Sequence, residues 1–245
     1  MRNRSSIAAT GVLCLASLLA AGTANATVLS FSTAAGATTS GGPVAAAATF
    51  TLGSGTLEIQ LTDSLANPTD VAQLISGLSF SLGNVTSGTL SSSFAQFGDV
   101  SSGGSLTILS SGSTGWALGN SGSNFDLCII CQSNPPDAPS QLIIGPPGPG
   151  GYTNANGSIT TSGSHQPFIL DTGTYYLDVP GLSSSDTLSN VLFRFGTTYG
   201  TDSVCSSGES CTPTVPEPGA LALFAAGLAA LGVALRRRAR RSRTH

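Results

Sequence analysis

From Thr27 to about Thr214 apolar and polar side chains alternate in short runs separated by clusters of Gly, Ser, Asn and Pro. Leu57, Ile59 and Leu61 alternate with Thr56, Glu58 and Gln60, and Leu78, Phe80 and Leu82 alternate with Ser79 and Ser81. Tyr175, Leu177 and Val179 interleave with Tyr176 and Asp178, and Val191, Phe193 and Phe195 lie around Arg194 in the same way. A period of two puts successive side chains on opposite faces of an extended chain, so each run predicts a strand with one buried face. Further strands are predicted at 28–32, 47–52, 106–109, 115–118, 127–131, 142–144 and 168–170. Helical periodicity is confined to a turn or two at 69–76. The expected fold is all-β: a β-sandwich, with a jelly-roll topology as one form of it.

Two stretches break the strand pattern. Residues 134–151 hold six of the thirteen prolines, and Gly145-Pro146-Pro147-Gly148-Pro149-Gly150-Gly151 can neither donate into a ladder nor sustain a helix. A long surface loop is predicted there, a connector in the first instance. Residues 204–214 are predicted as a second loop leading out of the body.

Composition narrows the class. Of 245 residues 40% are hydrophobic and only 9% charged, with 31 Gly and a mean hydropathy of +0.24. Disordered chains combine low hydrophobicity with high charge, so a folded, turn-rich β protein fits better. The charge is unevenly placed. There is no lysine, and of nine arginines only Arg194 lies between Arg4 and Arg236. Residues 27–214 carry this one base and eleven acids, a formal charge of −10. Such a body lacks the clustered Lys and Arg that neutralise phosphate, which excludes nucleic acid as a partner.

The ends carry the clearest signals. Arg2 and Arg4, an apolar run at 7–21 and small residues Ala24 and Ala26 form a secretory leader over 1–26, with cleavage expected after Ala26. Signal peptidase and the export machinery are the implied partners, and Cys14 leaves with the leader. At the other end Val215-Pro216-Glu217-Pro218 precedes an apolar stretch at 220–235, followed by Arg236, Arg237, Arg238, Arg240, Arg241 and Arg243. Prolines on both sides of Glu217 remove two backbone donors, leaving an extended segment that a processing enzyme can grip. As a helix, 220–235 spans roughly 24 Å against a hydrocarbon core of about 30 Å, which suits a temporary transmembrane stop. Arginine clusters stay cytoplasmic, so both ends give the same orientation, with the body on the periplasmic side of the inner membrane. The expected organisation is a signal peptide at 1–26, a sandwich body at 27–212 and a sorting segment at 213–245.

The Val-Pro-Glu-Pro motif at 215–218, the span and the arginine-rich end, paired with the leader, resemble the PEP-CTERM sorting signal of Gram-negative bacteria. The ordered arrangement makes the resemblance specific, whereas Pro-Glu-Pro alone would not. It implies recognition by exosortase, a membrane-embedded cysteine transpeptidase-like enzyme, with cleavage near Pro216-Glu217-Pro218. It further implies transient membrane anchoring and transfer to the cell surface or exopolysaccharide matrix. Body segments 142–147, 154–159 and 190–197 are also similar to bodies of such proteins, for which the resemblance implies no activity.

Four cysteines remain after leader removal: Cys128, Cys131, Cys205 and Cys211. An even number in an exported chain implies two disulfides, and local pairs are the simplest connectivity. Ile129 and Ile130 favour extended chain, however, in which residues three apart are roughly 10 Å from each other, too far for a bridge. A turn between Cys128 and Cys131, or cross-pairing with Cys205 and Cys211, would resolve the conflict. The spacing of the second pair is poor for zinc, and no histidine lies near either pair in sequence.

Catalytic chemistry is hard to assemble. His165 is the one body histidine, and no Gly-x-Ser-x-Gly, His-Glu-x-x-His or Walker loop occurs. A serine with His165 and Asp171 could form a triad, and Glu58 with Asp63 a carboxylate pair, but no spacing singles either out. Acidic loops without an Asp-x-Asp cluster assign no calcium ligands, so no metal and no cofactor are expected. Trp116, Tyr152 and Tyr176 are the aromatics available to stack on sugar rings, although a lone Trp in a sandwich is usually core. Asn84-Val85-Thr86 and Asn156-Gly157-Ser158 match glycan acceptors in form only. The expected function is therefore a non-catalytic surface or matrix protein associated with exopolysaccharide. The alternatives are a carbohydrate-binding or carbohydrate-active module, or a simple single-span membrane-anchored protein.

Overall fold

The computed structural model describes residues 26–131, 139–161, 163 and 165–208. The expected leader with Ala24, Cys211, and the whole sorting segment (Val215 to Pro218, the span at 220–235 and Arg236 to Arg243) lie outside the described residues.

The body is mostly β. Its first strands are β1 (Thr27–Ser32), β2 (Thr38–Thr39), β3 (Gly42–Pro43), β4 (Ala46–Leu52), β5 (Thr56–Asp63), β6 (Ile75–Leu82) and β7 (Thr89–Val100). They are followed by β8 (Leu106–Gly112), β9 (Ala117–Ser121), β10 (Asn124–Cys128), β11 (Ile143–Ile144), β12 (Phe168–Asp178), β13 (Leu188–Phe195) and β14 (Asp202–Cys205). β2 and β3 form a small hairpin sheet, and the other twelve strands belong to one mixed sheet.

That sheet has two arms. One runs β1, β4, β5, β12, β7, β8, and the other runs β9, β10, β6, β13, β14, with antiparallel neighbours throughout. The two residues of β11 join them, because Ile143 and Ile144 pair in parallel with Ile169 and Leu170 of β12 while Ile143 also pairs with Ile75 of β6. Two separate sheets were the expectation from period-two runs. Hydrogen bonding instead makes the sheet continuous, through the one apolar pair inside the proline-rich stretch.

The inner faces of the arms pack on each other. β4 and β5 alternate strictly between buried and more open positions, so that Ala46, Ala48, Phe50 and Leu52 and then Leu57, Ile59, Leu61 and Asp63 face inward. Phe50 from the first arm meets Phe80 of β6 edge-on at 5.3 Å, and Phe80 stacks on Phe125 of β10 at 5.5 Å. Phe31 of β1 extends the row, edge-on to Phe50 at 5.6 Å. Such ring pairs add about 0.5–1.5 kcal/mol each beyond the area they bury.

Several expected boundaries shift. The runs at 168–170 and 175–179 are one strand, β12, bent where Asp171 takes φ 58° and the register with β7 slips. β7, the longest strand, has a serine-rich start that hides its period, and pairing with β12 and β8 on either side holds it extended. Residues 204–205 were expected in a loop, but they close β14 against Leu192 and Phe193. The expected turn at 69–76 is a single 3₁₀ turn, Val71–Gln73, with Asp70 accepting from the Ala72 amide and the Gln73 side chain reaching back to the Asp70 amide. One short helix that periodicity does not reveal, α1 (Gly157–Thr160), is capped by Asn156.

Truncating Phe80 to alanine removes two ring contacts and leaves a cavity at the junction of the arms, which is expected to cost about 3–5 kcal/mol. Urea unfolding followed by Trp116 fluorescence measures it, with Phe94→Ala, 56% exposed, as the near-neutral control. Equal midpoints for the two variants would show that the arms are not held together at Phe80.

Candidate functional site

A cleft of about 330 Å³ opens on the outer face of the second arm, lined by Ser79, Asn120, Asn124, Asp126, Arg194 and Tyr199 among others. Strand register assembles it. Asp126 of β10 pairs directly with Ser79 of β6, and on the other flank of β6 Arg194 of β13 pairs with Gly77. Gly77 is required here because a Cβ would stand 2.8 Å from the Cys128 Cβ and 3.3 Å from Arg194 Cδ. Its bare backbone gives the arginine stem room to lie flat across β6.

Arg194, the one guanidinium of the body, is 5% exposed and bonded through Nε and Nη2. Its Nε and Nη2 donate to Ser79 Oγ at 2.9 and 2.8 Å, and Nη2 pairs with Asp126 Oδ1 at 3.2 Å and Oδ2 at 3.3 Å. Ser79 Oγ donates onward to Asp126 Oδ1 at 2.5 Å, and the Tyr199 hydroxyl donates to Oδ2 at 2.5 Å. The guanidinium carbon sits 4.3 Å from the centre of the Tyr199 ring, a cation–π contact over the pair. Burial, and after it the Asp126 carboxylate, raises the Tyr199 phenol above its ordinary value, so it remains a donor. A desolvated charge is tolerated only when paired and hydrogen-bonded, and this network meets both conditions.

The rim adds amides. Asn120 Nδ2 donates to the Thr86 carbonyl at 2.7 Å, and Asn124 Oδ1 accepts from Ser81 Oγ at 2.6 Å. Cys131 closes one side. Cys128 and Cys131 form a disulfide with Cα atoms 5.5 Å apart, because the chain bends at Ile129 and Ile130 immediately after β10 instead of continuing extended as their side chains suggested. Asp126, Cys128 and Cys131 place ligand atoms within 4.8 Å of one another, but the two sulfurs are bonded to each other and offer no thiolate to a metal. Cys205 lies at the end of β14, and its expected partner Cys211 lies outside the described residues.

The other sequence candidates disperse. His165 Nδ1 lies 3.0 Å from the Pro139 carbonyl, and among the described residues no hydrogen bond joins it to Asp171. Glu58 and Asp63 stand five apart on β5 and therefore on opposite faces, Glu58 accepting from Gln60 and Asp63 pointing into the body. Trp116 is core, as expected of a lone tryptophan in a sandwich, packing on Tyr175 at 5.1 Å and donating to the Gln141 carbonyl; Tyr152, a possible sugar-stacking ring, is core as well, its hydroxyl donating to the Gly145 carbonyl. Tyr176 is surface-exposed, beside Glu58 and Asp178. Sequence reading singled out Arg194 as the only body base but missed Tyr199, whose only signal was its place in a Gly- and Thr-rich turn after the last predicted strand. The Asn156 side chain is occupied as a helix cap and bonded to Asp70.

Residues 214–238 match the PEP-CTERM protein-sorting motif. The chain thus carries this motif at Val215-Pro216-Glu217-Pro218 and onward to Arg238, a motif that implies export and sorting through exosortase. No curated protein and no solved structure matches the chain. Among the described residues no helix is long and apolar enough to cross a membrane.

Removing the carboxylate strands a buried guanidinium, so Asp126→Asn is expected to lose about 3 kcal/mol or more of stability, and Arg194→Met in that background is expected to restore part of it. A urea double-mutant cycle with no coupling between the two positions would contradict this. The Tyr199 phenol has its folded pKa raised, so its contribution to stability is complete below the ordinary phenol value and is lost as pH rises through the folded one. Thermal midpoints from pH 8 upward should therefore fall less steeply in Tyr199→Phe than in wild type, and parallel curves would rule the linkage out.

Proposed function

We propose that this protein is a non-catalytic component of the cell surface or extracellular matrix, held briefly in the inner membrane, processed by exosortase near Pro216-Glu217-Pro218 and then seated among exopolysaccharide. The observation that supports this reading is the sorting motif at 214–238 on a body whose single buried cation is closed within Asp126, Ser79 and Tyr199. A guanidinium and a carboxylate that saturate each other leave neither an acid nor a base poised for proton transfer. The two-armed sheet serves in this reading as a sandwich-type scaffold, and its acidic, hydroxyl-rich surface suits a hydrated polymer better than a polyanion.

A second reading rests on the cleft itself. Tyr199, 38% exposed, Asn120 and Asn124 place a ring and side-chain amides beside a fixed ion pair, a donor and acceptor mix that suits a saccharide. Under this reading the body binds sugar without cleaving it.

Intact mass of the native exported protein is expected to lack residues 1–26 and the segment beyond the Pro-Glu-Pro motif. Replacement of Pro216, Glu217 and Pro218 by alanine should leave the full-length form in the inner membrane. Recovery of uncut wild-type protein from the membrane alone would overturn the sorting route. For the second reading, glycan-array binding by the exported protein should disappear in Tyr199→Ala at a temperature where circular dichroism shows the variant still folded.

A further inference from the structure

The inner face of the body ends in buried polar atoms that the described residues do not satisfy. Asp63, at the last position of β5, is 1% exposed. Its Oδ1 accepts from the Leu65 amide at 3.0 Å and from the Gly145 backbone, while Oδ2 has no partner. The β5–β12 register ends at Thr62 and Thr172, whose hydroxyls bond at 2.8 Å; Asp63 and Asp171 are the residues next to that pair, Asp171 at the bend of β12, and the Asp171 charge acts on the Asp63 carboxyl. The parallel pairing of Ile144 with Leu170 brings Gly145 to the same end, so close that a Cβ on it would stand 3.0 Å from Asp63 Oδ1 and 2.1 Å from the Leu65 carbonyl oxygen. Asn67, two residues beyond Leu65 with φ 54°, packs along the same stretch. Its amide donates to the Pro146 carbonyl at 2.7 Å, and its own Oδ1 is buried without a partner.

Protein groups cannot balance this charge. The body has no lysine, and its one arginine is committed to Asp126 on the outer face of the other arm. A bound cation answers both the charge and the orphaned oxygens. The available donors are carboxylate and amide oxygens, with neither nitrogen nor sulfur, which is the chemistry of a hard divalent ion accepting irregular geometry. Asp171 is exposed and gives such an ion a route in from solvent. We infer that the end of the body holding Asp63, Asp171 and Asn67 binds a divalent cation of the calcium class, with the two aspartates as charged ligands and Asn67 Oδ1 as a neutral one. Bound there, the ion ties β5, β12 and the loop after β11 together at the point where the two arms are joined.

The test uses the exported, processed protein stripped with chelator and titrated with CaCl2, with binding followed by calorimetry and the thermal midpoint. Terbium serves as a luminescent stand-in, sensitised by the tyrosines of this end of the body. The expected result is one saturable site, a midpoint that rises with calcium, and at least tenfold weaker binding in Asp171→Asn. Asp63→Asn should abolish binding while melting no lower than wild type in chelator, because it removes an unpaired buried carboxylate. Glu58→Gln, on the opposite face of β5, should bind as wild type does. Absence of saturable calcium binding up to millimolar concentration would overturn the site and leave buried water as the occupant. Unchanged affinity in Asp171→Asn would equally overturn it, even were Asp63→Asn not to fold, and magnesium binding as tightly as calcium would overturn the assignment to the calcium class.

Discussion

The row of rings Phe31, Phe50, Phe80 and Phe125 is the contact on which the rest of the body depends. A chain with so few charges cannot assemble by ion pairing, and its many serines and glycines add little buried area of their own. Burial must therefore be concentrated where the two arms of the sheet face each other, and these four phenylalanines cross that junction from β1 to β10. Once the arms are clamped, β11 needs only two residues to join them. Their backbone groups bond β12 on one side and β6 on the other, while their side chains are fully buried.

Charge is handled differently on the two arms. On the second arm Arg194 meets Asp126, and the pair is satisfied by Ser79, by the Tyr199 hydroxyl and by the ring lying over the guanidinium. On the first arm Asp63 is buried, the Asp171 charge acts on it, and among the described residues no cation is bonded to it. Desolvation accordingly holds the Asp63 carboxyl well above the usual carboxylate range, and its two backbone donors only partly offset that. The same desolvation acts on Tyr175, whose buried hydroxyl is also without a partner. A fold with one arginine can neutralise one buried acid, and the second depends on protons or on ions from outside.

The sorting motif and the body address separate questions. The motif at 214–238 specifies a route, because two prolines, an apolar span and basic residues act through local properties that no fold needs to arrange. The body must persist where that route ends, and its construction suits that requirement. A disulfide holds the turn after β10, the exposed faces are rich in hydroxyls, and the arginine of the ion pair is buried beneath its partners.

What could be read from the residues alone follows the range of the forces involved. Period-two alternation reports burial of one face locally, so β4, β5, β6 and β13 were legible, and the leader, the sorting motif and the lone base were legible as composition. β7 was not, since its serine-rich start alternates weakly and pairing with β12 decides its conformation. The bend that lets Cys128 meet Cys131 was not either, because two isoleucines favour extended chain until core packing turns them. Tyr199 became part of the cleft for the same reason: its environment comes from strands far away in sequence. The meeting of Asp126 with Arg194 was set by strand register, and register is fixed only when whole faces are buried together.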